Sequence, residues 1–276
     1  MQQRLEKFGG GGENIVFAHA NGYPPGSYRQ FIASLTEHFQ VTGFHHRPMW
    51  SDEIAPDRLN WNRFVDDLIE TLDATQEQPV WMMGHSMGAV VATRAAVARP
   101  ELFKGLILID PIFFPTRRSI ASRLTSEAKL SKMPMVRKTL NRPDHFADQE
   151  EAFAFHRSKR AFGGFSDEVL WDYIRAGTRD AQGGGVELAF PREWEAAAYK
   201  TPLWMWRDVY RVRLPVLGLR GETSYTLTRK SFRRWQRLQP QAELHECAGG
   251  HLLPLEEPRN TAAYVIDYLK RQTGPD

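Results

Sequence analysis

The stretch Val80-Trp81-Met82-Met83-Gly84-His85-Ser86-Met87-Gly88 decides the fold. Its first four residues are large and apolar, which predicts a buried strand, and the alanine-rich and valine-rich run up to Ala98 predicts a buried helix. Between them lies the pattern G-x-S-x-G, in which a serine occupies a sharp turn from strand to helix. Glycine two positions before and after the serine fits such a turn, because larger side chains there would clash.

Strand and helix patterns alternate on both sides of this turn. Apolar runs predict further strands at 15–18, 41–45, 105–109, 216–219 and 242–247. Helical spacing of apolar residues predicts helices at 27–39, 60–72, 86–98, 227–238 and 258–269. The uninterrupted apolar run at 105–109 is typical of a parallel strand covered on both faces. The sequence therefore predicts an α/β fold, with a doubly wound, mostly parallel central sheet flanked by helices.

The alternation breaks between residues 112 and 206. Basic residues, aromatic residues and glycine-rich joints occur there without apolar strands, which indicates a helical cap inserted after the sixth strand. The predicted core domain is then 1–111 with 207–276, and the predicted cap is 112–206. The cap's aromatic residues either line an apolar pocket or form the cap's own core. They are Phe153, Phe155, Phe162, Phe165, Trp171, Tyr173, Trp194, Tyr199, Trp204 and Trp206.

Composition excludes several classes of partner and site. The 276 residues carry a formal net charge of +3 with scattered Lys and Arg, so we expect no nucleic-acid partner. One cysteine, Cys247, permits no intramolecular disulfide and no cysteine-based metal site. The opening residues lack the apolar core of a signal peptide, and no apolar run approaches the length of a membrane span. We expect a cytoplasmic protein without membrane insertion, metal or cofactor.

Ser86 and His251 are the candidate nucleophile and base. A serine hydroxyl is a weak nucleophile at neutral pH, so it requires a neighbouring base, and imidazole has a suitable pKa. His251 follows the predicted strand 242–247 through Ala248-Gly249-Gly250. This flexible loop can bring the imidazole over the edge of the sheet beside Ser86.

Four motifs together resemble the capped α/β-hydrolases. They are HANG at 19–22, GHSMG at 84–88, LILIDP at 106–111 and AGGHLLPLEEP at 248–258. The likeness covers nearly the whole chain outside the cap. It implies the chain order serine, acid, histidine, with an acid that orients the imidazole and stabilises its charged form.

The identity of that acid is open in the sequence. The loop that usually supplies it reads Arg-Gly-Glu-Thr-Ser-Tyr at 220–225 and contains no aspartate. Some members of the family carry the acid after the strand that follows the nucleophile helix, and we favour Asp110, which occupies that place. Glu222 is the alternative, since its longer side chain can reach from the usual loop. Either carboxylate can also be structural.

The resemblance also implies an oxyanion hole. A tetrahedral intermediate carries negative charge on oxygen, which preorganised backbone N–H groups stabilise. Met87 supplies one such N–H from the turn, and Asn21 in the HANG loop is the candidate for the other. His19 in the same loop is expected to be structural.

These residues predict a serine hydrolase that cleaves an ester, thioester or related acyl bond through an acyl-enzyme. A carboxylic ester of a small molecule with a hydrophobic part is the expected substrate. The same residues also permit carbon–carbon bond hydrolysis or acyl transfer. A ligand-binding protein with little or no turnover is the other alternative, because the usual aspartate near Glu222 is missing.

Overall fold

A seven-stranded sheet runs through the middle of the molecule, whose computed structural model describes residues 4–274. The strands are β1 (Leu5–Gly9), β2 (Asn14–Ala18), β3 (Gln40–Phe44), β4 (Val80–His85), β5 (Phe103–Ile109), β6 (His145–Phe146), β7 (Thr178–Asp180), β8 (Val186–Leu188), β9 (Val216–Gly221) and β10 (Glu243–Cys247). The helices are α1 (Arg29–Thr36), α2 (Trp61–Thr75), α3 (Met87–Ala98), α4 (Thr116–Leu124), α5 (Glu127–Leu130), α6 (Pro134–Leu140), α7 (Gln149–Arg157), α8 (Asp167–Gly177), α9 (Arg192–Lys200), α10 (Trp206–Arg211), α11 (Arg229–Leu238), α12 (Leu253–Glu256) and α13 (Pro258–Thr273).

The main sheet has the strand order β1-β3-β2-β4-β5-β9-β10. β1 pairs antiparallel with β3, and the other pairings are parallel. The predicted α/β fold is confirmed, and a strand lies at each of the predicted strand positions. Because parallel strands point the same way, β2, β4, β5, β9 and β10 all end at one edge of the sheet.

Helices cover both faces of this sheet. One apolar cluster contains side chains of α2, α3, α10 and α11, and the other contains side chains of α1, α8 and α13. Small residues allow α3 to approach the sheet closely, and its alanines and valines at 89–92 are fully buried. The strands between the two clusters are apolar on both sides, as expected of a parallel sheet covered on both faces.

The segment 112–206 departs from the prediction in two ways. It follows β5, the fifth strand of the described chain rather than the sixth, and it contains a three-stranded antiparallel sheet of order β6-β8-β7 besides helices. Strands of two or three residues are too short to give an apolar alternation in the sequence. The Gly183–Gly185 run forms the turn between β7 and β8, where all three glycines have positive φ.

The aromatic residues of this segment pack mainly against the body of the protein. Trp194 and Trp206 lie in the cluster with α2 and α3, whereas Phe162 and Tyr173 lie in the cluster with α1. Trp204 is 38% exposed. The division into a core and a cap at 112–206 stays a prediction. Within residues 4–274, no helix is both long and apolar enough to cross a membrane.

Candidate active site

Ser86 lies in the turn between β4 and α3, at the edge of the sheet where the parallel strands end. Its φ of 54° is in the left-handed region, which is strained for a residue with a side chain. A Cβ atom at Gly88 would lie 2.0 Å from the Ala18 carbonyl oxygen, and one at Gly84 would lie 2.6 Å from the Ala89 nitrogen. Both glycines are therefore required for this turn to pack against β2 and α3.

A line of hydrogen bonds runs from Ser86 through His251 to Asp110. The distance is 2.9 Å between Ser86 Oγ and His251 Nε2, and 2.6 Å between His251 Nδ1 and Asp110 Oδ2. Asp110 is fully buried, whereas the His251 side chain is 13% exposed. An imidazole that donates from Nδ1 to a carboxylate presents a lone pair on Nε2, which can accept a proton from the serine hydroxyl.

Two further groups orient the Asp110 carboxylate. The Gly221 N–H donates to Oδ1 at 3.0 Å, and the Ser224 hydroxyl donates to Oδ2 at 2.6 Å. Asp110 itself has a φ of 39°, again in the left-handed region. We did not predict roles for Gly221 and Ser224 from the sequence. The available signal was their position in the 220–225 loop, which contains no aspartate.

Glu222 lies in the same loop but does not face the imidazole. It is exposed, and its backbone N–H donates to the Cys247 carbonyl at 2.8 Å. The His251 Nδ1 atom, which a catalytic acid would face, is hydrogen-bonded to Asp110 instead. Of the two candidate acids, the structure brings Asp110 to His251 and leaves Glu222 in solvent.

The loop that carries His251 is held close to β9. Gly249 has a φ of 100°, and its carbonyl accepts from the Thr223 hydroxyl at 3.0 Å. The Gly250 N–H donates to the Glu256 carboxylate. A Cβ atom at Gly221 would lie 2.0 Å from the Gly250 carbonyl oxygen, so the loop fits only against glycine.

The candidate oxyanion hole lies on the β2 side of Ser86. Met87 is the first residue of α3, where the N–H has no partner within the helix. In the loop after β2, no acceptor among the described residues takes the Asn21 N–H. β2 pairs with β4 with Ala18 opposite Gly84, so this loop emerges beside the nucleophile turn. Among the described residues, neither the Met87 N–H nor the Asn21 N–H donates to a backbone carbonyl, so their role as oxyanion donors stays a prediction.

Residues of the 112–206 segment contact the Asn21 loop and hydrogen-bond to it. The Asn21 side-chain amide donates to the Glu195 carbonyl at 3.1 Å. The Glu195 carboxylate accepts from Arg142 at 2.7 Å and from the Tyr199 hydroxyl at 3.0 Å. Gly22, with a φ of 78°, lies so close to Glu195 that a Cβ atom would be 3.0 Å from its carboxylate oxygen. None of the Glu195 contacts was predicted. Those with Asn21 and Arg142 join positions far apart in the sequence, whereas Tyr199 lies one turn further along α9.

His19 is structural, as expected. Its Nδ1 donates to the Ala20 carbonyl at 2.7 Å, and its Nε2 accepts from the His46 N–H at 3.1 Å. The His46 Nε2 donates to the His19 carbonyl at 3.0 Å. Burial lowers the pKa of His19 well below 6.5 and that of His46 to about 3, so both rings are neutral at physiological pH.

Comparison with known proteins finds relatives among esterases and lipases. Monoglyceride lipase of Rattus norvegicus is 28% identical over 137 residues, which is 47% of this chain and 45% of that protein. Strigolactone esterase D14 of Arabidopsis thaliana is 31% identical over 107 residues, 36% of this chain and 39% of that protein. The chain thus matches less than half the length of these relatives.

Solved structures show the same fold over nearly the whole chain. E-2-(acetamidomethylene)succinate hydrolase superposes with a TM-score of 0.80 at 18% identity, covering 96% of this chain and 94% of that one. The thioesterase domain from the curacin biosynthetic pathway gives a TM-score of 0.75 at 19% identity, with 95% and 94% covered. At this identity the likeness concerns the fold. The model of the alpha/beta hydrolase family matches residues 15–264, and this chain belongs to that family.

Proposed function

We propose that the protein is a serine hydrolase that cleaves a carboxylic ester or thioester through an acyl-enzyme. The observation that carries the proposal is the pair of consecutive hydrogen bonds that connect Ser86 to His251 and His251 to Asp110. Such a line makes a serine hydroxyl nucleophilic at neutral pH, because the imidazole takes the proton as the oxygen attacks. The names of the relatives, which include lipases, esterases and acyl-CoA thioesterases, support the same class of substrate.

In the proposed mechanism, Ser86 Oγ attacks the carbonyl carbon while its proton passes to His251 Nε2. The carbonyl oxygen becomes an oxyanion and accepts hydrogen bonds from the N–H groups of Met87 and Asn21. His251 then gives its proton to the leaving alcohol or thiol as the bond to the carbonyl carbon breaks. Asp110 stabilises the imidazolium throughout. A water molecule, deprotonated by His251, releases the acid by the same steps and restores Ser86.

The substrate is proposed to be a small acyl compound with a hydrophobic part. The segment 112–206 places aromatic side chains such as Tyr173 and Phe162 in the same apolar cluster as Tyr23. Tyr23 follows directly after the Asn21-Gly22 pair. An apolar acyl chain that packs against this cluster would lose its own contact with water, which favours binding.

The test is covalent labelling with a fluorophosphonate, read by intact mass, together with turnover of p-nitrophenyl butyrate and a butyryl thioester. Wild type is expected to gain one adduct and to hydrolyse at least one of the two compounds. Ser86→Ala should lose both the adduct and turnover. Ser158→Ala removes an exposed serine hydroxyl at the end of α7 and should behave as wild type.

Two results would favour a function other than hydrolysis. A wild-type protein that takes no label and turns over neither compound favours the ligand-binding alternative. Labelling with release of an ester of an added alcohol, rather than of the free acid, favours acyl transfer. Product analysis with and without the added alcohol separates transfer from hydrolysis.

A further inference from the structure

A buried chain of hydrogen bonds connects the loop after β2 to the backbone of His251. The Ala20 N–H donates to the Tyr28 hydroxyl oxygen at 3.2 Å. The Tyr28 hydroxyl lies 2.8 Å from His85 Nδ1, and His85 Nε2 lies 2.8 Å from the His251 carbonyl oxygen. Tyr28 and His85 are both completely buried. Two side chains therefore link the two segments that flank Ser86 on opposite sides.

The groups at the two ends fix the direction of every bond in this chain. The His251 carbonyl can only accept, so His85 Nε2 must carry a proton. Nδ1 of the neutral ring then has a lone pair and must accept from the Tyr28 O–H. The Tyr28 oxygen is left to accept from the Ala20 N–H. Each donor meets one acceptor, which is the arrangement that makes a buried polar chain stable.

His85 itself is unsuited to proton transfer. Burial, together with the smaller effect of the neighbouring His251 ring, lowers its pKa to about 3. A second proton, on Nδ1, would remove the lone pair that accepts from the Tyr28 O–H. His85 therefore keeps one protonation state and one tautomer near neutral pH, and its contribution is geometric.

We infer that Tyr28 and His85 are positioning residues, which hold the His251 backbone and the Asn21 loop in register with Ser86. The inference rests on the proposed function and deepens it. Ala20 directly precedes Asn21, whose N–H is a proposed oxyanion donor. The carbonyl at the other end belongs to the residue whose ring faces Ser86 Oγ. Loss of a link would let both segments shift, and an error of about 1 Å in reacting groups can lower a rate about 100-fold.

The test compares variants of both links with a control. Tyr28→Phe keeps the ring that packs edge-on against Phe17 but removes the hydroxyl. His85→Leu removes both ring nitrogens, whereas His85→Gln retains an N–H donor for the His251 carbonyl. Thr71→Val removes a hydroxyl that is equally buried but lies in α2, where it donates to the Asp67 carbonyl at 2.6 Å.

We expect Tyr28→Phe and His85→Leu to lower kcat for ester hydrolysis about 10-fold to 100-fold per folded molecule, with KM little changed. The fluorophosphonate labelling rate should fall in parallel. His85→Gln should recover part of the loss, and Thr71→Val should retain wild-type kcat even if it unfolds at a lower temperature. A role in stability alone predicts lower melting temperatures with wild-type kcat in all four variants, which would overturn the inference.

Two further readouts keep the inference separate from the proposed function. In wild-type protein labelled with ¹⁵N-histidine, His85 should show a protonated Nε2 and an unprotonated Nδ1, and the opposite tautomer would overturn the inference without any variant. If wild type is labelled at Ser86 and Tyr28→Phe is labelled at the same rate, the positioning role is contradicted but the proposed function is not. Wild type that does not label at all contradicts the proposed function, and the inference with it.

Discussion

At the scale of single residues, the acid is the feature that the sequence left open. Asp110 directly follows β5, and the Gly221 N–H and the Ser224 hydroxyl hold its carboxylate towards His251. Ser224 lies in the loop that lacks an aspartate. In the proposed mechanism, Asp110 from the loop after β5 takes the place of the usual aspartate, and the Ser224 hydroxyl from the loop after β9 orients it.

Replacing the carboxylate tests this assignment. We expect Asp110→Asn to lower kcat for p-nitrophenyl butyrate by about 10⁴-fold, because an amide neither stabilises the imidazolium nor fixes the imidazole tautomer. Glu222→Gln should leave kcat unchanged, since that side chain is exposed and makes no contact with His251. Steady-state kinetics of the two variants decides the matter. Loss of turnover in Glu222→Gln with retained turnover in Asp110→Asn would place the acid in the later loop.

Local patterns could predict Ser86 and His251, but they could not choose the acid. The serine is marked by glycines two positions away, and the histidine by the glycine pair that precedes it. The family resemblance made Asp110 the favoured acid over Glu222, but no local pattern predicts its contact with His251, which lies 141 positions further along the chain. Tyr28 and Glu195 were not predicted for the same reason. Their contacts depend on which strands become neighbours in the sheet.

At the scale of secondary structure, the approach of α3 to β2 holds the candidate site together. Gly88 in the first turn of α3 touches the backbone of the strand that precedes the Asn21 loop. The helix can start there only because residue 88 has no side chain, since a Cβ atom would meet the carbonyl oxygens of Ala18 and His19 at 2.0 and 2.8 Å. The contact of Gly88 with β2 thus positions both the start of α3 and the Asn21 loop.

A methyl group at this contact should therefore disturb both stability and activity. We expect Gly88→Ala to lower the free energy of unfolding by about 3 kcal/mol, the upper range for overpacking, because the clash is with backbone. Ester hydrolysis should fall sharply as the Asn21 loop is displaced. Gly11→Ala, where no atom lies within 4 Å of the added Cβ, should leave both unchanged. Urea unfolding and kinetics of the two variants provide the measurement, and a Gly88→Ala protein equal to Gly11→Ala would contradict the packing argument.

The elements that the sequence predicted well are those whose pattern is set by burial. Strands such as β4 and β5 lie in the interior and read as apolar runs. The short strands β6, β7 and β8 have mixed exposure, with Val186 and Leu188 buried and Glu187 between them. The Gly183–Gly185 turn joins β7 to β8, whereas β6 pairs with β8 from a distant part of the chain. The small sheet was therefore not predicted, and only the glycine run in its turn was visible.

At the scale of the whole molecule, several histidines are buried near the edge of the sheet at which the parallel strands end. His46 and His85 are fully buried, and burial lowers the pKa of each from 6.5 to about 3. Each ring donates to a backbone carbonyl, and neither has a carboxylate partner within the part of the chain that the structure describes. In the unfolded chain both rings take up a proton below pH 6.5. The unfolded state thus binds more protons than the folded state between pH 6.5 and about 3.

It follows that stability rises with pH across this window and is lost as the pH falls. Each of the two histidines should lower the free energy of unfolding by about 2 kcal/mol between pH 7 and pH 5, because one pKa unit corresponds to about 1.4 kcal/mol. Carboxylates with shifted pKa values add their own dependence on pH, so the test compares variants. We expect His46→Gln to be about 2 kcal/mol less sensitive to this change in pH than wild type. His38→Gln, which alters an exposed histidine, should match wild type. Urea unfolding at both pH values measures the difference, and an equal loss in wild type and His46→Gln would show that His46 takes up its proton in the folded state as readily as in the unfolded chain.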